Sequence, residues 1–219
     1  MRFSRRALAQ AAIVTMSLTG AAACTPGQFP TPLASMLPGA GSSSEAERTT
    51  GPMTDAIVAN AVSSLAALHS GDARALASSL SPLAAEVGAR AGIDPAELER
   101  VWNATDGTRM TALLSALSQV GVGYRYASAV PGKAFDCSGL ASWAWAQAGV
   151  ALPSQSKQMI NAIVKKDLST VLPGDVLWYP GHVSLALGVG EAFVNAVGRG
   201  EEIQVRASTS RRVVVGSPV

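Results

Sequence analysis

Apolar positions recur at the period of helices from residue 53 to about residue 164, and at the period of strands from Pro173 onward. Ile57, Val58, Ala61, Val62, Leu65 and Leu68 form one helical stripe, and Leu76, Leu80, Leu83 and Val87 form a second. Asp94-Pro95-Ala96-Glu97 is a start signal: an aspartate cap, proline at the first helical position and glutamate three residues after the cap. Leu98, Val101 and Trp102 then share a face, so residues 53–106 predict two or three short helices. A further helix over about Arg109–Val120 carries Leu113, Leu114 and Leu117 and stops at Gly121. The stretch Asp136–Gly149, DCSGLASWAWAQAG, predicts a helix with Asp136 as its cap and Gly149 as its stop. Gly123–Phe135 reads as the loop leading into it, and Leu152-Pro153-Ser154 introduces another short helix through about Val164.

The second half of the pattern is different. VLWY (176–179), HVSLALG (182–188), AFVNAV (192–197), EIQVR (202–206) and RVVVG (212–216) are short, strand-like and separated by glycine-containing turns. Helices first and a run of strands afterwards predict an α+β fold with an antiparallel sheet.

Upstream of residue 53 no such period exists. Arg2, Arg5 and Arg6, the apolar run Ala7–Leu18 and Ala21-Ala22-Ala23 have the layout of a signal peptide over residues 1–23. The apolar run is short for a bilayer-spanning helix. The SRRAL stretch loosely resembles a twin-arginine export signal. Residues 24–52 are rich in Pro, Gly, Ser and Thr and read as a flexible tether. Cys24 stands where a lipoprotein attachment cysteine would, but Ala21 replaces the leucine usual in such signals, which favours plain cleavage over lipidation. Lipidation at Cys24 would be the chain's one link to a membrane. Without residues 1–23 the chain carries 14 basic against 15 acidic side chains, which gives no footprint for nucleic acid or an anionic surface.

Two cysteines, Cys24 and Cys137, and two histidines, His69 and His182, narrow the chemistry. An exported chain with one cysteine in its folded part has no internal disulfide framework there, and a Cys24–Cys137 bridge is the weaker alternative. No histidine or cysteine spacing suggests zinc, and no cofactor is expected. Cys137 at a helix start is placed where unpaired N–H groups and the helix dipole favour thiolate. The same position suits a small buried cysteine with no chemistry. His69 precedes Ser70-Gly71-Asp72 and reads as a solvated turn residue. His182 follows the turn Pro180-Gly181 and opens a strand, so the lone cysteine and the other histidine make a candidate nucleophile–base pair. If Gly188–Glu191 forms a hairpin turn, His182 lies opposite Val197 and Asn195 is its diagonal neighbour on the same face. A slip by one residue would undo this. Glu191 falls in the turn away from His182, and Asp175 in Pro173-Gly174-Asp175 suits local turn hydrogen bonds.

The segments GYRY, FDCSGL, LPSQS, LPGDVLWY and HVSLALGVGEAFVNA, in this order and spacing, resemble the NlpC-like cell-wall cysteine peptidases over about Thr111–Val215. The resemblance implies a papain-like domain over residues 107–219, its cysteine-bearing helix packed on an antiparallel sheet and preceded by a small helical accessory segment, residues 53–106. It implies hydrolysis of peptidoglycan stem peptides, commonly between D-glutamate and the dibasic residue. By motif position Cys137 is the nucleophile, His182 the base and Asn195 the orienting residue. Tyr124 matches a family tyrosine near the site; it holds the oxyanion beside the Cys137 N–H, or else is a packing residue. Two departures fall on the substrate side: Ala127 and Ser128 replace a glycine-rich loop, and Ser154 replaces an arginine common in relatives. The competing readings are a catalytically silent wall-binding module, and an amidase or acyltransferase with the same Cys-His machinery. Residues 53–106 show no chemistry of their own; as a partial cover over the groove, their deletion would raise activity.

Overall fold

A computed structural model of the chain describes residues 55–208 and 212–219. The expected signal peptide, tether and Cys24 lie outside the described residues.

Three helices come first, α1 (Ala56–Ser70), α2 (Ala73–Ala91) and α3 (Pro95–Asn103), followed by α4 (Gly107–Leu117). The hairpin strands β1 (Ala129–Val130) and β2 (Ala134–Phe135) lead into α5 (Cys137–Gln147). Then come α6 (Ser156–Ala162), β3 (Val164–Lys166) and a short 3-10 turn at Leu168–Thr170. The remaining strands are β4 (Val176–Tyr179), β5 (His182–Ala186), β6 (Ala192–Ala196), β7 (Ile203–Ala207) and β8 (Val214–Ser217). The fold is α+β, as the pattern predicts.

An aspartate starts each of α1 to α5. The side chains of Asp55, Asp72, Asp94, Asp106 and Asp136 accept backbone N–H bonds from the first turns, relieving donors that have no intrahelical partner. Asp55 also pairs with Arg90 of α2 at 2.8 Å, fixing α1 against its neighbour. Burial pushes the Asp55 carboxyl up, but Arg90 and the Ile57 N–H outweigh it and hold the group below its ordinary value.

Strands β3-β8-β4-β5-β6-β7 form one antiparallel sheet in that order. The helices cover one of its faces. Leu83, Leu98, Trp102, Leu113 and Trp145 from the helices share a core with Val183, Leu185 and Val194 from the strands. On the other face a smaller cluster gathers Val171, Leu177, Ala186 and Val215. Two indoles bind across the layers: Trp102 Nε1 donates to the Leu187 carbonyl at 2.8 Å and Trp145 Nε1 to the Gly174 carbonyl at 2.9 Å.

Several expectations change in detail. Residues 53–106 form three helices, two of them longer than expected: α1 runs 15 residues and α2 runs 19, while α3 runs 9. Helix α6 ends at Ala162, because Val164 onward pairs with β8 as a strand. The β1–β2 hairpin and β3 went unread, being two and three residues long and lacking alternation. Asp175 accepts the expected local bond from the Leu172 N–H at 2.8 Å, and is also fully buried against Arg109 at 2.7 Å and Lys166 at 2.9 Å. A buried carboxylate needs such partners. The cover role of residues 53–106 does not hold either: α1 to α3 supply core residues, and none of them lines the groove at Cys137. Removing them would strip Leu98 and Trp102 from the core. No helix among the described residues is long and apolar enough to cross a membrane.

Candidate active site

Cys137 is the first residue of α5, immediately after the cap. Asp136 is 8% exposed and its Oδ1 accepts from the Gly139 N–H at 2.6 Å and from Ser138 Oγ at 3.1 Å. The loop carrying Ser128 crosses this helix start so closely that Gly139 must lack a side chain. A Cβ there would stand 2.1 Å from the Ser128 carbonyl oxygen, which accepts from the Asp136 N–H at 2.8 Å. The preceding residue, Ala127, takes the left-handed conformation with φ of +53°. That region is easy for glycine and costs an alanine about 1–2 kcal/mol. The sequence departure at Ala127 therefore sits where the backbone itself favours glycine.

The Cys137 side chain is half-buried and carries a free thiol. The Val183 N–H, facing the sulfur from β5, and the N–H groups of the helix start at Cys137 and Ser138 favour the thiolate. Burial works against them, with help from the Asp136 charge, and burial wins: the thiol is pushed above its ordinary value. Position at a helix start predicts the opposite direction. The difference lies in desolvation, which depends on how α5 packs against β5 and is invisible in the local sequence.

The Val183 N–H at the sulfur brings Cys137 to the start of β5, one residue from His182. His182 is 9% exposed. Its ring stacks on Tyr179, with centroids 4.9 Å apart and planes at 27°, across the β4–β5 register that pairs the two residues. On its other side Asn195 Nδ2 lies 3.0 Å from His182 Nε2. Strands β5 and β6 pair Leu185 with Val194 and Ala186 with Phe193, the register that the Gly188–Glu191 turn implies. The structure puts Asn195 on His182, and puts the Val183 N–H, one residue further along β5, beside the Cys137 sulfur.

Tyr124 lies along the same groove, with its backbone N–H bound to the Glu201 carbonyl at 2.9 Å. Burial pushes its phenol above the ordinary value, followed by the negative charges of Cys137 and Asp136, while Arg199 acts the other way. The groove encloses about 610 Å³ and is lined by Tyr124, Tyr126, Cys137, Ser142, Ser154 and Gln155 among others. Ser154, the second sequence departure, is one of its walls. Tyr179 and the Val183 N–H are the site features that sequence reasoning missed. Tyr179 had a readable signal, since a tight turn at Pro180-Gly181 forces it opposite His182.

Residues 121–214, in the C-terminal part of the chain, match the model of the NlpC/P60 family. Among curated relatives, the chain is 41% identical over 87 residues to a Mycobacterium tuberculosis protein named "Probable endopeptidase", covering 38% of this chain and 22% of that one. It is 31% identical over 91 residues to the bifunctional muramidase/DL-endopeptidase CwlT of Bacillus subtilis, covering 38% and 28% respectively. A Corynebacterium glutamicum protein named "Probable endopeptidase" is 32% identical over 115 residues, covering 51% of this chain and 54% of that one. The chain therefore spans from about a fifth to about half the length of these relatives. Among solved structures, the P60 domain of a Mycobacterium avium subspecies paratuberculosis antigen aligns at a TM-score of 0.45 and 24% identity, covering 50% of this chain and 93% of that one. RipD of Mycobacterium tuberculosis, described as a non-catalytic NlpC/p60 domain protein, aligns at 0.44 and 25%, covering 52% and 98%.

Proposed function

We propose that this protein is an exported cysteine endopeptidase of the cell envelope that hydrolyses peptide bonds in peptidoglycan stem peptides, between D-glutamate and the diamino acid. The observation that carries the reading is the convergence of a thiol at a helix start, an imidazole at the adjoining strand start and an amide on that imidazole, at the side of an open polar groove. The endopeptidase and DL-endopeptidase names of the relatives support the reaction class and the bond.

In this reading Cys137 rests as a neutral thiol, because burial disfavours its charged form. His182 takes the thiol proton as the sulfur attacks the stem-peptide carbonyl, so that no separated charge has to persist between turnovers. The oxyanion is held by the Cys137 N–H at the positive end of α5 and by the Tyr124 hydroxyl. As the carbon–nitrogen bond breaks, the proton on His182 passes to the leaving amine. Water then attacks the thioester, His182 accepts its proton, and the carboxylate product leaves as that proton returns to sulfur. Asn195 holds the ring in the orientation these transfers need.

The test is mass spectrometry of soluble fragments from purified peptidoglycan treated with the protein lacking residues 1–23, with Cys137→Ala run beside it. New D-glutamate carboxyl termini and new diamino-acid amines, from the unmutated protein alone, are the expected result. A different new terminus would move the reaction to amidase or acyltransferase chemistry, and no fragment from folded protein would leave a wall-binding module.

A further inference from the structure

We propose that Ser184 is a positioning residue that sets the orientation of the Asn195 amide and, through it, which nitrogen of His182 carries the proton. The inference rests on the hydrolytic role proposed above for the Cys137–His182 pair. Ser184 and Asn195 are 3% and 4% exposed, and each has a buried polar atom with no hydrogen-bond partner: Ser184 Oγ and Asn195 Oδ1. Such atoms are costly to leave unpaired. Both residues line a cavity of about 260 Å³ that also takes in Leu177, Phe193 and Glu191. Continuing the Leu185–Val194 pairing by one residue places Ser184 directly across from Asn195. Residues opposite each other on one sheet face have Cβ atoms about 4.5–5.5 Å apart.

The amide has two ends of equal size, and they do different chemistry. With Nδ2 donating to His182 Nε2, the imidazole carries its proton on Nδ1 and has no lone pair left for a thiol. With the amide turned over, Oδ1 accepts from Nε2–H and Nδ1 keeps its lone pair as a base. That second arrangement puts Nδ2 where Oδ1 now stands, and a buried N–H needs an acceptor. Ser184 Oγ, a hydroxyl that accepts as well as donates, lines the same cavity with its lone pairs unoccupied. Arg206, a cationic wall of the cavity, is already engaged with Glu201 and Gln204 and brings no acceptor. Glu191 Oε2, also buried and unpartnered on that cavity, is an acceptor for the Ser184 hydroxyl proton, an arrangement that directs the Ser184 lone pairs to the amide.

The experiment uses uniformly ¹⁵N-histidine-labelled protein carrying His69→Gln, so that a single imidazole, His182, is read by NMR. In the parent the Nε2 signal is expected to be the protonated one. Ser184→Ala should convert it to a mixture of both tautomers and lower kcat on stem peptides about five- to tenfold with KM unchanged. Ser184→Thr, which keeps the hydroxyl, should restore both. A Ser184→Ala protein that is folded and keeps the parent nitrogen pattern would overturn the proposal. The tautomer reading needs no substrate, so it decides the question even where the peptidase reading itself fails.

Discussion

At Cys137 the fold sets two effects against each other. The helix start supplies N–H groups that favour thiolate, and the packing of α5 removes water that favours it more. The second effect is the larger, so the sulfur rests as a thiol, and in the proposed mechanism it depends on His182 to become reactive. Replacing His182 by alanine removes the base and leaves the burial. In that variant, alkylation of Cys137 by iodoacetamide should rise with pH through a midpoint above about 8.5, the value of an unburied thiol. The sign follows from the direction of the shift: a raised value keeps the sulfur protonated to higher pH, so reactivity appears later as pH increases. Mass spectrometry of the Cys137-containing peptide reads the rate, and a midpoint below that of a free thiol would mean that the helix terminus dominates.

At the level of elements, the site is a meeting of one helix start, one strand start and one hairpin. Much of that was legible. Asp136 before Cys137 and the turn before His182 are local signals, and the Gly188–Glu191 turn fixes by counting which residue of β6 reaches the histidine. What could not be read depends on contacts distant in sequence: the Val183 N–H on the sulfur, the stack of Tyr179, and the burial that raises the thiol. Gly139 is a further case. Its role lies in the approach of the Ser128 carbonyl, which holds the groove loop down on the helix start. Gly139→Ala should therefore destabilise the protein by about 1–3 kcal/mol in urea unfolding, the range for an overpacked site, and displace the groove wall. Unchanged stability would show that the loop can move away at no cost.

On the scale of the whole molecule, residues 53–106 turned out to differ most from their sequence reading. Their stripes of leucine and valine announced helices but gave no sign of what those helices face. Leu83, Leu98 and Trp102 face the same core as the sheet, and Trp102 is bound to the end of the β5–β6 hairpin that carries both His182 and Asn195. The helices thus pack behind the sheet, and none of α1 to α3 lines the groove at Cys137. The buried Arg109–Asp175 pair does similar work for β4, tying α4 to the turn that precedes it. The proposed hydrolysis needs Cys137 and His182 to act together. Its most direct test is the turnover of a soluble stem peptide by Cys137→Ala, His182→Ala and the double variant, each verified as folded by its urea midpoint. The account predicts that each single variant loses at least about 10³ in kcat and that the double variant is scarcely slower than either, as for groups that act as a unit. Turnover in either single variant within tenfold of the parent would contradict it.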